Sequence, residues 1–163
     1  MKKLILFAAV MVSLVSCKKE TSPSASPEDI KKAADFNASI MTGGYSLKQY
    51  FSDVPIDYID TDAVVKSETD LWDYVSAWVK DDTITFDANT AHFQQGKIMF
   101  ESETSPTIDR SYKIGADKDG VYMDFVNHQY QPLKYRLVSY DNTGFLVSAS
   151  WNNKTVKSRF SKN

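Results

Sequence analysis

The sequence predicts an all-β fold: an antiparallel up-and-down meander closing into a small barrel, with an N-terminal helix and a helix between the first and second strands. Three observations predict it. From Thr83 onward, apolar residues recur with period two. The gaps between these runs carry turn chemistry at near-regular spacing. The apolar phase draws on nine Tyr, nine Phe and three Trp, which favour strands and bury much area per residue. Eight or nine such strands with one apolar face curl and close, because closure removes edges and buries that face.

Taken in order, the chain begins with a targeting pattern. Met1-Lys2-Lys3 is a basic start and Leu4 to Val12 an apolar run, too short to span a bilayer as a helix but right for a secretory signal peptide over 1–16. Leu14-Val15-Ser16-Cys17 resembles the bacterial lipobox. That resemblance implies a diacylglyceryl-modified Cys17 thiol, cleavage before Cys17 and acylation of the new amine, so the partner is a membrane held through the lipid anchor. Several acyl chains anchor firmly where one binds marginally. Cys17 is the only cysteine, which excludes an intrachain disulfide framework and any multi-cysteine zinc site. Residues 17–26 read as a lipidated, disordered tether, since Thr21 to Pro27 (TSPSASP) cannot bury apolar surface. Lys18 follows the cysteine where enterobacterial lipoproteins retained at the inner membrane carry Asp, so by resemblance the protein is expected at the outer membrane.

The remaining 27–163 is expected to be one domain. Ser26 suits a helix N-cap, Pro27 its first position, and Asp29 its acidic first turn. Ile30, Ala33, Ala34, Asn37 and Met41 follow helical spacing, with Phe36 and Ile40 widening the stripe, and Gly43-Gly44 ends the helix after 27–41. Gly44 to Phe51 reads as the first strand, with Tyr45, Leu47 and Phe51 on one face and Gln49 interrupting them. An acidic, Pro-containing connection, 52–62, follows. Ser67 then looks like an N-cap, and Leu71, Trp72, Tyr74, Val75, Trp78 and Val79 give a helical period through 68–79.

Period two takes over at Ile84 and Phe86. It continues through Ala91 and Phe93, then Ile98 and Phe100, then Tyr112 and Ile114. Val121, Met123 and Phe125 follow, then Leu133, Tyr135 and Leu137. The last runs are Phe145, Val147, Ala149 and Trp151, then Val156 and Phe160. Asp117 to Gly120, Asp141 to Gly144 and Asn152-Asn153 suit tight hairpins, and Gln95-Gly96 a weaker one.

Gly44-Tyr45-Ser46-Leu47 resembles the first-strand opening of lipocalin-like domains, with Tyr45 where tryptophan is usual. Lys80 to Thr90 (KDDTITFDANT) resembles a hairpin of small lipocalin-like lipoproteins of Bacteroidetes-type bacteria, without the usual turn glycine before Thr90. The resemblance covers roughly 42–162. It implies a small β-barrel and, at most, binding of a small apolar molecule.

Little in the chain points to catalysis or metal chemistry. The net charge of −2 leaves no basic footprint for nucleic acid. There is no Gly-x-Ser-x-Gly elbow and no phosphate loop. His92 falls on the outward phase of its strand and His128 in a polar loop. Asp53, Asp57, Asp60 and Asp62 offer oxygen ligands of the kind calcium takes but lack a calcium-loop spacing, and Asp117-Lys118-Asp119-Gly120 resembles a fragment of such a loop; for both, the solvated turn is the simpler reading. The expectation is therefore a non-enzyme without cofactor or metal, binding a small apolar or amphipathic ligand. The alternative is an envelope-assembly lipoprotein using its outer surface on a protein partner. The candidate ligand-binding residues, at the barrel mouth or interior, are Tyr45, Trp72, Trp78, Phe100, Tyr112, Tyr135 and Trp151. Trp72, Tyr74 and Trp78 have two readings, a ligand-stacking lid or a core helix plugging a barrel end, and the plug is the simpler. The bulk of the inner phase leads one to expect an interior packed largely solid, with any pocket small and near one mouth.

Overall fold

The computed structural model describes residues 24–59, 63–99, 104–126 and 131–163. The expected signal peptide, Cys17 and most of the expected tether lie outside the described residues, as do Asp60, Asp62, Phe100 and His128.

Helix α1 (Pro27–Ile40) starts where its caps require. The Ser26 Oγ accepts the Asp29 amide at 3.0 Å, and Glu28 and Asp29 place negative charge on the first turn. Its buried face is Ala33, Phe36 and Ile40, while Ile30 and Met41 are exposed. The buried stripe is thus centred on the residues that sequence spacing placed at its edge.

Nine strands follow: β1 (Gly44–Ile59), β2 (Val65–Asp70), β3 (Thr83–Phe86), β4 (Thr90–Gln94), β5 (Thr107–Asp117), β6 (Gly120–Val126), β7 (Pro132–Asp141), β8 (Gly144–Trp151) and β9 (Lys154–Lys162). The sheet order is β2-β1-β3-β4-β5-β6-β7-β8-β9, and β1 also pairs antiparallel with β9. Eight strands therefore close into a barrel and β2 extends β1 beyond it. The predicted all-β meander is the observed architecture. The C-terminus completes the seam, where the Asn163 amide donates to the Gly44 carbonyl at 2.9 Å.

Hairpin chemistry works as the sequence indicates. Asn152 and Asn153 both adopt left-handed backbone, φ 49° and 60°, as a two-residue primed turn requires. Asp141 Oδ1 accepts the Thr143 and Gly144 amides at 2.7 and 3.1 Å. Gly144 sits at φ +156°, where an added Cβ would lie 2.0 Å from the Phe160 carbonyl oxygen, so no larger residue fits there. The β3–β4 turn dispenses with glycine. Asp87 Oδ1 accepts the Asn89 and Thr90 amides, and this side-chain cap needs no positive φ.

Three sequence readings are corrected. First, β1 does not stop at Phe51. It runs to Ile59, because the segment expected to begin a helix at Ser67 forms β2 and pairs with it, Ile59 opposite Val65. Pro55 is tolerated because the ladder is interrupted between Phe51 and Ile56. Only a 3₁₀ turn (Trp72–Tyr74) and the one-turn α2 (Ala77–Lys80) remain of the expected 68–79 helix. Second, Phe51 does not face inward. Leu47 pairs with Phe160 and Gln49 with Arg159, so Lys48 is an extra, bulged residue. A bulge inverts the phase beyond it, which brings Tyr50 inside and turns Phe51 out under the Lys157 ammonium. Third, no strand forms at Ile98. The Lys97 and Ile98 amides both donate to Asp81 Oδ2, at 2.7 and 3.2 Å, and this carboxylate holds the segment as a loop with Ile98 49% exposed.

The core lies in two parts. The larger packs α1 against the inner faces of the barrel, with Phe36 fully buried 5.3 Å from Tyr140 and 5.5 Å from Phe145, ring centre to ring centre. Tyr45, Phe86 and Tyr112 complete that aromatic cluster. The smaller core joins Ile56 and Tyr58 of the β1 extension to Leu71 and Val156.

On the outer face, His92 stands between two carboxylates, with Nδ1 2.7 Å from Asp109 and Nε2 3.0 Å from Asp87. These bonds, that to Asp109 foremost, raise the His92 pKa above its ordinary 6.5, and the bond to His92 lowers that of Asp87 below 3.8. The raised His92 value adds stability that is complete below 6.5 and fades as pH rises through the folded value. The lowered Asp87 value adds stability that is complete above 3.8 and fades as pH falls through its folded value. His92→Ala should therefore lower the melting temperature more at about pH 5.5 than at about pH 8.5. Equal losses at both would show that His92 acts through packing alone.

Candidate functional site

The two ends of the barrel differ. Helix α1 fills one with Phe36 and Ile40. The other end keeps a cavity of about 580 Å³, within the range that takes a drug-sized ligand. The interior is thus packed at one end, with the pocket near the other mouth, and the open part is larger than the small pocket expected from sequence. Eight strands do enclose little more than their own side chains. Here, however, α1 supplies part of the aromatic filling at one end, and no helix fills the other.

The cavity wall is built from inward residues of β1, β3, β4, β6, β7 and β9. Leu47, Ile84, Phe93, Phe125 and Phe160 make an apolar floor. Phe93 and Phe125 hold each other with ring centres 5.3 Å apart. Tyr50 and Ser158, directly opposite each other on β1 and β9, and Tyr135 on β7 bring hydroxyl groups to the wall. Burial holds the Tyr135 pKa up at about 12. Burial raises Tyr50 still further, and Tyr135 and Tyr74 add to the rise, so these phenols lie close together. Tyr50 and Tyr135 therefore remain protonated at any physiological pH.

The rim comes from the segment that leaves β2. Tyr74 of the 3₁₀ turn, Val75, and Trp78 and Val79 of α2 line the mouth, with Asp73 and Ile59 beside them. Tyr74 is braced from behind, its ring 4.6 Å from Trp151 and 5.6 Å from Tyr58. No residue of the 3₁₀ turn or of α2 is buried. The lid reading of this segment describes its position and the plug reading does not, because α1 occupies the plugged end.

No family model, curated protein or solved structure matches the chain.

Of the residues singled out from sequence, Tyr135 and Trp78 line the cavity. Trp151 supports Tyr74 from outside the lining. Tyr45 and Tyr112 belong to the filled end, where Tyr45 donates to the Ser39 carbonyl and Tyr112 to that of Asp87. Trp72 lies in a separate outer groove with Phe51 and Asp70, its ring 5.1 Å from the Lys80 ammonium. Phe100 is outside the described residues. The sequence reading missed Tyr50, which reaches the cavity only through the Lys48 bulge. Polar Gln49 in an otherwise apolar phase was the signal that could have revealed it.

Asp53 forms an ion pair with Lys157 at 2.6 Å, and Asp117 accepts two bonds from the Arg136 guanidinium. That guanidinium holds the Asp117 pKa down at about 2. Among the described residues no three His, Cys, Asp or Glu side chains gather where they could hold a metal ion. No described helix is long and apolar enough to cross a membrane.

Proposed function

We propose that this chain is a lipid-anchored, non-catalytic binding protein of the cell envelope that holds a small apolar or amphipathic molecule in the open half of its barrel. The cavity carries the reading. It is lined by Leu, Ile and Phe with a few convergent hydroxyls, which is the composition of a small-molecule site. The lipobox at Cys17 and the resemblance to lipocalin-like lipoproteins support a tethered role, at the outer membrane by the Lys18 rule.

Native mass spectrometry of the purified chain, with Trp78 fluorescence followed during titration with naphthalene, tests the binding role. A co-purifying adduct, or saturable quenching at one site, is the expected result. Absence of both would remove the carrier reading. Incorporation of labelled palmitate, lost in Cys17→Ala, tests the anchor.

A second reading, docking of an envelope protein through the outer surface, is favoured by one observation. Val54, Ile59, Val64 and Val65 are all about half exposed or more on the β1–β2 arm. It would take precedence if substitution of Val54, Val64 and Val65, which do not line the cavity, and not of the cavity wall, abolished activity in the cell.

A further inference from the structure

We infer that the cavity selects an uncharged amphipath, an apolar body bearing a hydroxyl or carbonyl head, over a fatty acid or an alkylamine of the same length; this rests on the binding reading above. The wall divides into two regions. The floor of Leu47, Ile84, Phe93 and Phe160 offers only apolar contact. Above it stand the hydroxyls of Tyr50, Tyr135 and Ser158, none of which hydrogen-bonds to another described side chain or main-chain group. None of the three is a buried polar atom left unsatisfied; they open instead to the cavity, where a ligand head can bond to them as it displaces water. Phenols offer one donor and acceptor lone pairs each, which suits an alcohol, ester or ketone.

Charge argues against the ionised alternatives. Among the described residues lining the cavity there is no Lys, Arg or His, and Asp73 at the rim is the only ionisable carboxylate. A carboxylate entering this wall would lose its hydration with no cation in the lining to receive it, and Lys66, beside the rim, is already paired with Asp73 at 3.7 Å. An ammonium fares little better, because Asp73 is largely exposed, its side chain 69% accessible, and cannot follow a head into the wall. Arg110 is buried on β5 but donates to the Asp109 carbonyl and does not line the cavity.

Competition between matched ligands tests the inference. The purified full chain is titrated with 1-decanol, decanoate, decylamine and the headless probe naphthalene, with Trp78 fluorescence as the readout. Decanol should bind at least about 10-fold more tightly than decanoate or decylamine. The Tyr50→Phe/Tyr135→Phe double variant keeps both rings and the fold. It should weaken decanol about 10-fold, as the loss of two hydrogen bonds implies, and leave naphthalene within about 2-fold. Decanoate or decylamine binding as well as decanol, or decanol binding unchanged in the double variant, would overturn the head-group selection while leaving the cavity as a binding site. Failure of both decanol and naphthalene to bind would overturn the binding reading itself.

Discussion

Phe36→Ala should lower the free energy of unfolding by about 3–5 kcal/mol, measured by urea denaturation. Phe36 is fully buried and wedged between Tyr140 and Phe145. Its removal takes away the transfer free energy of a whole ring and leaves a hole among aromatic side chains that are held by strands and cannot collapse. Domain stabilities are of the order of 5–15 kcal/mol, so the loss is a large fraction of the total. The α1 backbone is capped by Ser26 and stays intact, so the effect belongs to the plug and not to helix propensity. Naphthalene binding at the other end should survive under native conditions, since Phe36 does not line the cavity. A loss below about 1 kcal/mol would show that α1 is not seated in the barrel.

Ser158→Phe should abolish binding while sparing the fold. Ser158 is 5% exposed and lines the cavity wall directly opposite Tyr50 on the neighbouring strand. A phenylalanine there projects its ring into the unfilled half. In a packed core such an enlargement costs about 1–3 kcal/mol by strain. Into a cavity of about 580 Å³ it instead buries apolar surface, and the melting temperature should hold or rise. Affinity for naphthalene should fall at least about 100-fold, or about 2.8 kcal/mol, because the ring takes the ligand's place. A variant that is strongly destabilised and still binds would show that the space lies elsewhere. Phe36→Ala and Ser158→Phe thus dissociate stability from binding in opposite directions.

Much of the barrel was legible in the chain. Alternation in Tyr112-Lys113-Ile114 or Val121-Tyr122-Met123 is a direct print of side chains pointing to opposite faces. Asn152-Asn153 and Asp141 to Gly144 state their turns in a few residues. The site was less legible. Tyr135 and Trp78 were found because bulky aromatics on an inner phase or a rim helix are the natural candidates. Tyr45 and Tyr112 carry the same signal and sit at the filled end, since alternation gives the face of a strand and not the height along the barrel. Tyr50 was hidden because the Lys48 bulge changes the phase, and that bulge arises from pairing with β9 more than a hundred residues away.

The 65–70 segment shows the same limit. Its polar VKSETD fits a helix start at Ser67 as well as a strand, and only the free edge of the β1 extension decides for β2. Local propensity loses to a partner that the local sequence cannot reveal.

The sequence by itself determined the strand class, the hairpin turns, the start of α1 and the inward phase of most strands, because each depends on neighbours a few residues apart. The tertiary structure alone decided that β1 closes against β9, that α1 fills one end, that the 72–80 segment rims the other, and that a cavity remains between them. An empty volume is the difference between the shape that eight strands enclose and the side chains that reach into it. No residue encodes that difference, since it exists only when distant strands have set the register.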